Sequence, residues 1–189
     1  MLNKTAPMKT RDLVMVSLLT ALIVVLALVP PIPVPLVPVP VTLQTLGVML
    51  AGLVLGPGRA GLAVLLYVAM AMVGLPVLPG GRAGLAVLMG PTGGFLLGMI
   101  PGAMLTGWLS RRIRFGLEAP GRQITLNFFA CLLGGVALVY AFGIPWLASV
   151  TGMGMTKAAL AVLVFVPGDM VKALIAATVA YQVARHIEA

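Results

Sequence analysis

From Leu13 to Val29 the chain carries no charged side chain, and five more apolar stretches follow, at 41–56, 60–78, 93–110, 123–144 and 158–183. With the first segment placed at 12–29, each approaches the roughly 20 residues that an α-helix needs to cross a hydrocarbon core. Only the last holds charge in its interior. With 61% of 189 residues hydrophobic and 8% charged, the chain has far more apolar side chain than one small core can enclose; soluble domains carry about a quarter charged residues. Lipid can face the remainder. The expected fold is therefore an all-α integral membrane protein, a bundle of six transmembrane helices forming a single transmembrane domain over 1–189.

The breaks between the stretches are rich in Pro and Gly, which end helices by lacking an N–H or by being conformationally loose. They include PPIPVPLVPVP at 30–40, GPGR at 56–59, PGGRAGLAVLMGPT at 79–92, RRIRF at 111–115 and the glycine-rich 152–154. The first segment follows Lys4, Lys9 and Arg11 as a signal peptide would. Its apolar run exceeds the usual 7–15 residues of such a signal and ends in prolines rather than a small-residue cleavage site, so it reads as a retained span.

The net charge of +8 would suggest nucleic acid for a soluble protein. Here the basic residues sit between apolar runs, without aromatic interleaving or a basic face, and no nucleic-acid partner is expected. They sort by side instead. Six spans with both termini cytoplasmic put Lys4, Lys9, Arg11, Arg59, Arg111, Arg112, Arg114, Arg122 and Arg185 inside, with only Arg82 and Lys157 outside and Lys172 within the last span. Lys and Arg gather in cytoplasmic loops, so the connections at 30–40, 79–92 and about 145–157 face outward.

Catalytic constellations are missing. No G-x-x-x-x-G-K-[ST] cradles a nucleotide, and no H-E-x-x-H binds zinc. The acids are Asp12, Glu118, Asp169 and Glu188, and only Asp169 lies well inside a span, which leaves an intramembrane carboxylate dyad unavailable. The lone Cys131 has no intramembrane histidine to activate it, since the only histidine, His186, is in the C-terminal tail. The chain reads as no enzyme, and no resident cofactor is expected.

What remains is Pro167-Gly168-Asp169-Met170-Val171-Lys172. Intramembrane charges are expensive and mark function by default. Asp169 and Lys172, three apart, share a helical face and can neutralise each other, and Pro167 would leave a carbonyl near Leu163 without its helical partner. Further candidates for ligand contact are Thr42 and Gln44 after the outer proline loop, where either a helix start or a ligand would use them. Tyr67 in the third span and Arg82 in the outer connection complete the set. Gly90, Gly94, Gly98, Gly102 and Thr106 recur at intervals of four, a flat stripe suited to close helix packing; Ser17 and Ala21 make a smaller version on the first span.

Three blocks, PVPVTLQTLGVMLAG (38–52), LLYVAMAMVGLPVLPGGRAGLAVLMGPTGGF (65–95) and FVPGDMVK (165–172), resemble in content and order the BioY family. These are the biotin-specific substrate-capture (S) components of energy-coupling factor (ECF) transporters. The resemblance spans essentially the whole chain. It implies high-affinity biotin capture for uptake across the bacterial cytoplasmic membrane, with 30–40 and 79–92 as lids over the vitamin. It places Asp169, Lys172, Arg82, Gln44, Thr42 and Tyr67 as substrate-binding residues, with biotin as transported ligand. It also implies a membrane scaffold (T) subunit and cytosolic ATPase subunits as partners. The scaffold docks in the family on an A-x-x-x-A surface of the first helix, matched here by Ser17-x-x-x-Ala21 with serine in the first place. The residues leave open a solitary biotin carrier working without ATPases and an S component for another vitamin.

Overall fold

The structure, a computed structural model, describes residues 9–35, 37–113 and 120–188; Lys4, Arg114 and Glu118 of the charge pattern lie outside them. Helix α1 (Thr10–Leu28) leads into a hairpin of β1 (Ile32–Val34) and β2 (Val37–Val41), followed by α2 (Gln44–Leu55) and α3 (Pro57–Met72). A short helix, α4 (Leu85–Met89), precedes α5 (Gly93–Ile113). Then α6 (Pro120–Cys131), a π-helical segment (Leu132–Leu138) and α7 (Val139–Thr151) run on without a break. The last rod is α8 (Met155–Val162), a 3-10 turn (Leu163–Phe165) and α9 (Val166–Glu188).

Among the described residues four helical stretches are long and apolar enough to cross a membrane, Thr10–Leu28, Gly93–Arg112, Gly121–Thr151 and Met155–His186, while α2 and α3 are shorter apolar helices. The outer helices keep large side chains exposed, among them Leu18 and Val25 on α1 and Val171 and Leu174 on α9. Such a surface suits hydrocarbon and not water. Helix α5 is the central element, in contact with α2, α3, α6, the π segment and α7. Its glycine stripe faces the α6–α7 rod: a Cβ on Gly98 would meet Phe142 and Val139, and one on Gly102 would meet Gly134 and Val139. Helix α2, about 18 Å long at 1.5 Å per residue, is too short to span alone, but it is buried along most of its length.

Several boundaries differ from expectation. The stretch expected as helix over 41–56 begins as strand, and the proline loop at 30–40 is largely hairpin, a departure from an all-helical chain. Ile32 pairs with Val41 and Val34 with Val37, so the interleaved prolines, which have no N–H to offer, are kept out of the pairs. The third span ends at Met72 rather than 78, where Gly74 takes a φ of +98° and Pro76 follows. The fifth continues through Pro145 to Thr151, leaving a connection of only 152–154. Pro167 does not strand a carbonyl. The chain tightens into the 3-10 turn and the Val166 N–H donates to Leu163 O, which puts the proline in the first turn of α9, where no N–H is required.

One end of the bundle gathers the basic helix ends. Arg59 pairs with Asp12 at 2.9 Å, joining α3 to α1. Arg111 at the end of α5 donates to Leu55 O at 2.8 Å, a cation on the C-terminus of α2, where the helix dipole favours it. The turn between α2 and α3 is made by Gly56 at φ +74°, against which the Arg111 guanidinium lies too close to admit a Cβ.

Candidate substrate-binding site

A pocket opens at the opposite end, between the hairpin, the 78–92 connection and the ends of α2, α5, α7 and α9. Its walls are mostly apolar, with Val39, Leu78, Phe95, Leu96, Val139 and Phe165 among them. Both segments expected as lids contribute: Val39, Pro40 and Val41 from the hairpin, and Leu78, Pro79, Arg82 and Val87 from the second connection.

Four of the polar lining side chains form a network. Lys172 Nζ lies 2.8 Å from Asp169 Oδ1, with the two residues 7% and 3% exposed. Thr45 Oγ1 donates to Asp169 Oδ1 at 3.2 Å and accepts from Lys172 Nζ at 3.2 Å. Tyr140 OH donates to Asp169 Oδ2 at 2.5 Å. Burying an ion pair is tolerable only when the remaining donors and lone pairs are also met. Thr45 and Tyr140 meet part of that demand from α2 and α7. The charges of Asp169 and Lys172 cancel, so Arg82 leaves the pocket with one surplus positive charge.

Arg82 is exposed at the pocket mouth. Its Nε donates to Pro79 O at 3.0 Å, and Leu78 bridges to Arg82 across the turn, so the loop is folded on itself. The two terminal amino groups of Arg82 make no hydrogen bond to the described residues. Gln44, only 3% exposed, is the first residue of α2 and lines the pocket; its amide donates to the Met99 thioether at 3.4 Å, a weak acceptor. Thr42 lines the pocket half-buried.

Tyr67 stands apart from these residues. Fully buried in α3, it donates to Val77 O at 3.2 Å and is not among the lining side chains. It sits beneath the 78–92 connection and steadies the 77–79 segment, which carries pocket residues. Trp146 holds the far end of the connection through Nε1 to Gly90 O at 2.9 Å. Ser17 and Ala21 are both exposed on α1, and neither lines the pocket.

Sequence reasoning passed over Thr45 and Tyr140. A hydroxyl in a span is common, and nothing local singles these out. The one usable signal was the cost of leaving Asp169 and Lys172 with unmet hydrogen-bonding capacity, which demands partners without naming them.

An apolar bundle with a largely apolar pocket, a neutral polar cluster inside it and a cation at its mouth defines a membrane protein whose pocket fits a small amphiphilic anion. The family profile of BioY matches residues 1–189, and the chain belongs to the BioY family. It is 48% identical over 170 residues to the biotin transporter BioY of Rhizobium etli, covering 90% of this chain and 91% of that one. It is 43% identical over 185 residues to the biotin transporter BioY of Rhodobacter capsulatus, covering 93% and 94%. A crystal structure of the S-component for biotin from an ECF-type ABC transporter matches with a TM-score of 0.87 at 30% identity, over 95% of each chain.

Proposed function

We propose that the protein captures biotin for uptake across the bacterial cytoplasmic membrane, as the substrate-binding subunit of an ECF-type transporter. The observation that carries this reading is the Asp169–Lys172–Thr45–Tyr140 network inside an apolar pocket with Arg82 at its mouth. Biotin offers ureido N–H donors and a ureido oxygen, an apolar bicyclic body and a terminal carboxylate. Asp169 accepts from an N–H and Lys172 donates to the oxygen, in charge-assisted bonds. The aliphatic and aromatic walls enclose the ring, Gln44 and Thr42 supply further polar contacts, and Arg82 meets the carboxylate. The site needs no resident cofactor, because the vitamin is cargo. Equilibrium binding of biotin to the purified chain, with thiamine and riboflavin as controls, tests the assignment. Selective biotin binding is expected, and equal or absent binding of all three would sink it.

Arg82 is exposed, and exposed ion pairs contribute about 0.2–1 kcal/mol. Arg82→Ala should therefore weaken biotin only a few-fold while abolishing any preference for biotin over its uncharged amide. A retained preference, measured by competition between the two ligands, would put the carboxylate elsewhere.

In this reading the bundle has six spans with both termini cytoplasmic, α2 and α3 crossing with help from the hairpin and the outer connection. Lipid surrounds the bundle, and the basic end faces the cytosol. Energy comes from cytosolic ATPase subunits through a membrane scaffold subunit, which docks on the exposed small-residue surface of α1 at Ser17 and Ala21. The ECF-type context of the matching crystal structure supports that partnership. Ala21→Trp should abolish co-purification with a co-expressed scaffold and leave biotin affinity unchanged; persistent co-purification would move the dock.

A further inference from the structure

We propose that Tyr140 is a specificity-determining residue, brought to Asp169 by the π-helical segment, which closes off one lone pair of the carboxylate so that the site admits a ligand edge with a single N–H beside a carbonyl. This deepens the biotin reading and rests on it.

The first observation is register. Along α6 and α7 the buried positions are Asn127, Ala130, Cys131, Gly134, Gly135, Val136, Val139, Gly143 and Leu147. Three consecutive buried residues, then a step of three and two steps of four, depart from the α-helical face set by Cys131, Gly134 and Gly135. Each residue turns an α-helix by about 100°, and a π segment inserts roughly one residue into the count. Continued α-helical from Cys131, the rod would present Leu138 and Phe142 to the core and swing Tyr140 away. The π segment Leu132–Leu138 moves Val139 and Tyr140 onto the pocket face instead. The Tyr140 ring is braced edge-on by Phe95, with centroids 6.2 Å apart.

The second observation is the count of hydrogen-bonding capacity. A carboxylate has about four lone-pair sites and an ammonium three donors. Asp169 Oδ1 takes Lys172 and Thr45, and Oδ2 takes Tyr140. One acceptor position is left, on Oδ2. Lys172 has placed one donor on Asp169 and one on Thr45, and so keeps one. The cluster thus offers one acceptor beside one donor. That matches the N–H and C=O of one side of a cyclic urea. It mismatches a cyclic guanidinium, whose second N–H would face the Lys172 ammonium.

The test compares biotin with its cyclic guanidinium analogue, 2-iminobiotin, on the unmodified chain and on Tyr140→Phe. The substitution keeps the ring against Phe95 and removes only the hydroxyl. Without the hydroxyl the Asp169 carboxylate is free to turn from the ligand N–H, which is expected to weaken biotin by about tenfold, the order of one hydrogen bond to a charged group, while 2-iminobiotin is weakened less or gains. The ratio of the two affinities should therefore fall. Equal weakening of both ligands, or no change in either, would overturn the proposal, since a purely structural role predicts one of those. A ligand-free measurement separates this idea from the biotin reading. The infrared carboxylate band that Asp169→Asn removes should shift in Tyr140→Phe, and an unmoved band would overturn the positioning whatever the ligand. Absent biotin binding by the unmodified chain would overturn the biotin reading instead.

Discussion

Lys172→Ala is expected to weaken biotin binding by well over tenfold and to lower the thermal unfolding midpoint of the ligand-free protein. Truncating one partner of a buried, hydrogen-bonded charge pair costs about 2–5 kcal/mol in binding, much of it from the charge left behind. Asp169 is almost fully enclosed and would keep Thr45 and Tyr140 as donors but lose its counter-charge. Breaking such a pair destabilises a fold by roughly 3–5 kcal/mol, whereas removing both charges is often neutral. Asp169→Asn should also weaken biotin at least about tenfold, with less damage to the fold because the amide stays polar without charge. The double change Asp169→Asn with Lys172→Met separates the two effects: it should restore the unfolding midpoint toward that of the unmodified chain and still not bind. Titration of biotin alongside thermal unfolding reads both quantities. Wild-type affinity in both single variants would remove the pair from the site.

Gly102→Leu on the glycine stripe of α5 should lower both the stability of the fold and the affinity of the site. A Cβ built there lies 2.7 Å from Gly134 O and 2.9 Å from Val139 Cγ2. The first contact is backbone, and it belongs to the π segment, so relief requires α5 and that segment to part. Overpacking of a tight core costs about 1–3 kcal/mol and sometimes more. The displacement would also move the register on which Tyr140 depends. A drop in the unfolding midpoint, with loss of biotin binding in the protein that still folds, is the expected result. Gly58→Leu is the control, since nothing lies within 4 Å of its Cβ position and open surface changes are usually worth less than about 0.5 kcal/mol. Equal midpoints and affinities for Gly102→Leu and the unmodified chain would mean the close approach carries no weight.

The π segment links packing to chemistry. Gly134 and Gly135 leave no room for side chains there: a Cβ on Gly134 would strike Thr106 and Gly102, and one on Gly135 would meet Met49. The same small residues that let α5 and the α6–α7 rod touch thus hold the local geometry that turns Tyr140 inward.

The sequence by itself determined the membrane class, the approximate helical segments and the family. Uninterrupted apolar runs have only one stable environment, and three ordered blocks are too specific to coincide. It also singled out Asp169, Lys172 and Arg82, since a charge among so few charges is conspicuous and an intramembrane one is costly. Tertiary structure alone decided the rest. The strand pairing of 32–41 depends on two segments meeting across a turn, which proline content obscures. Thr45 and Tyr140 reach Asp169 from 124 and 29 residues away, a distance no local pattern spans. Tyr67 drew notice as a hydroxyl in a span and Tyr140 did not, yet Tyr67 is tied to Val77 O and lies outside the lining. Tyr140 reaches the pocket by helical register, set by about one inserted residue in the rod and the absence of side chains at Gly134 and Gly135.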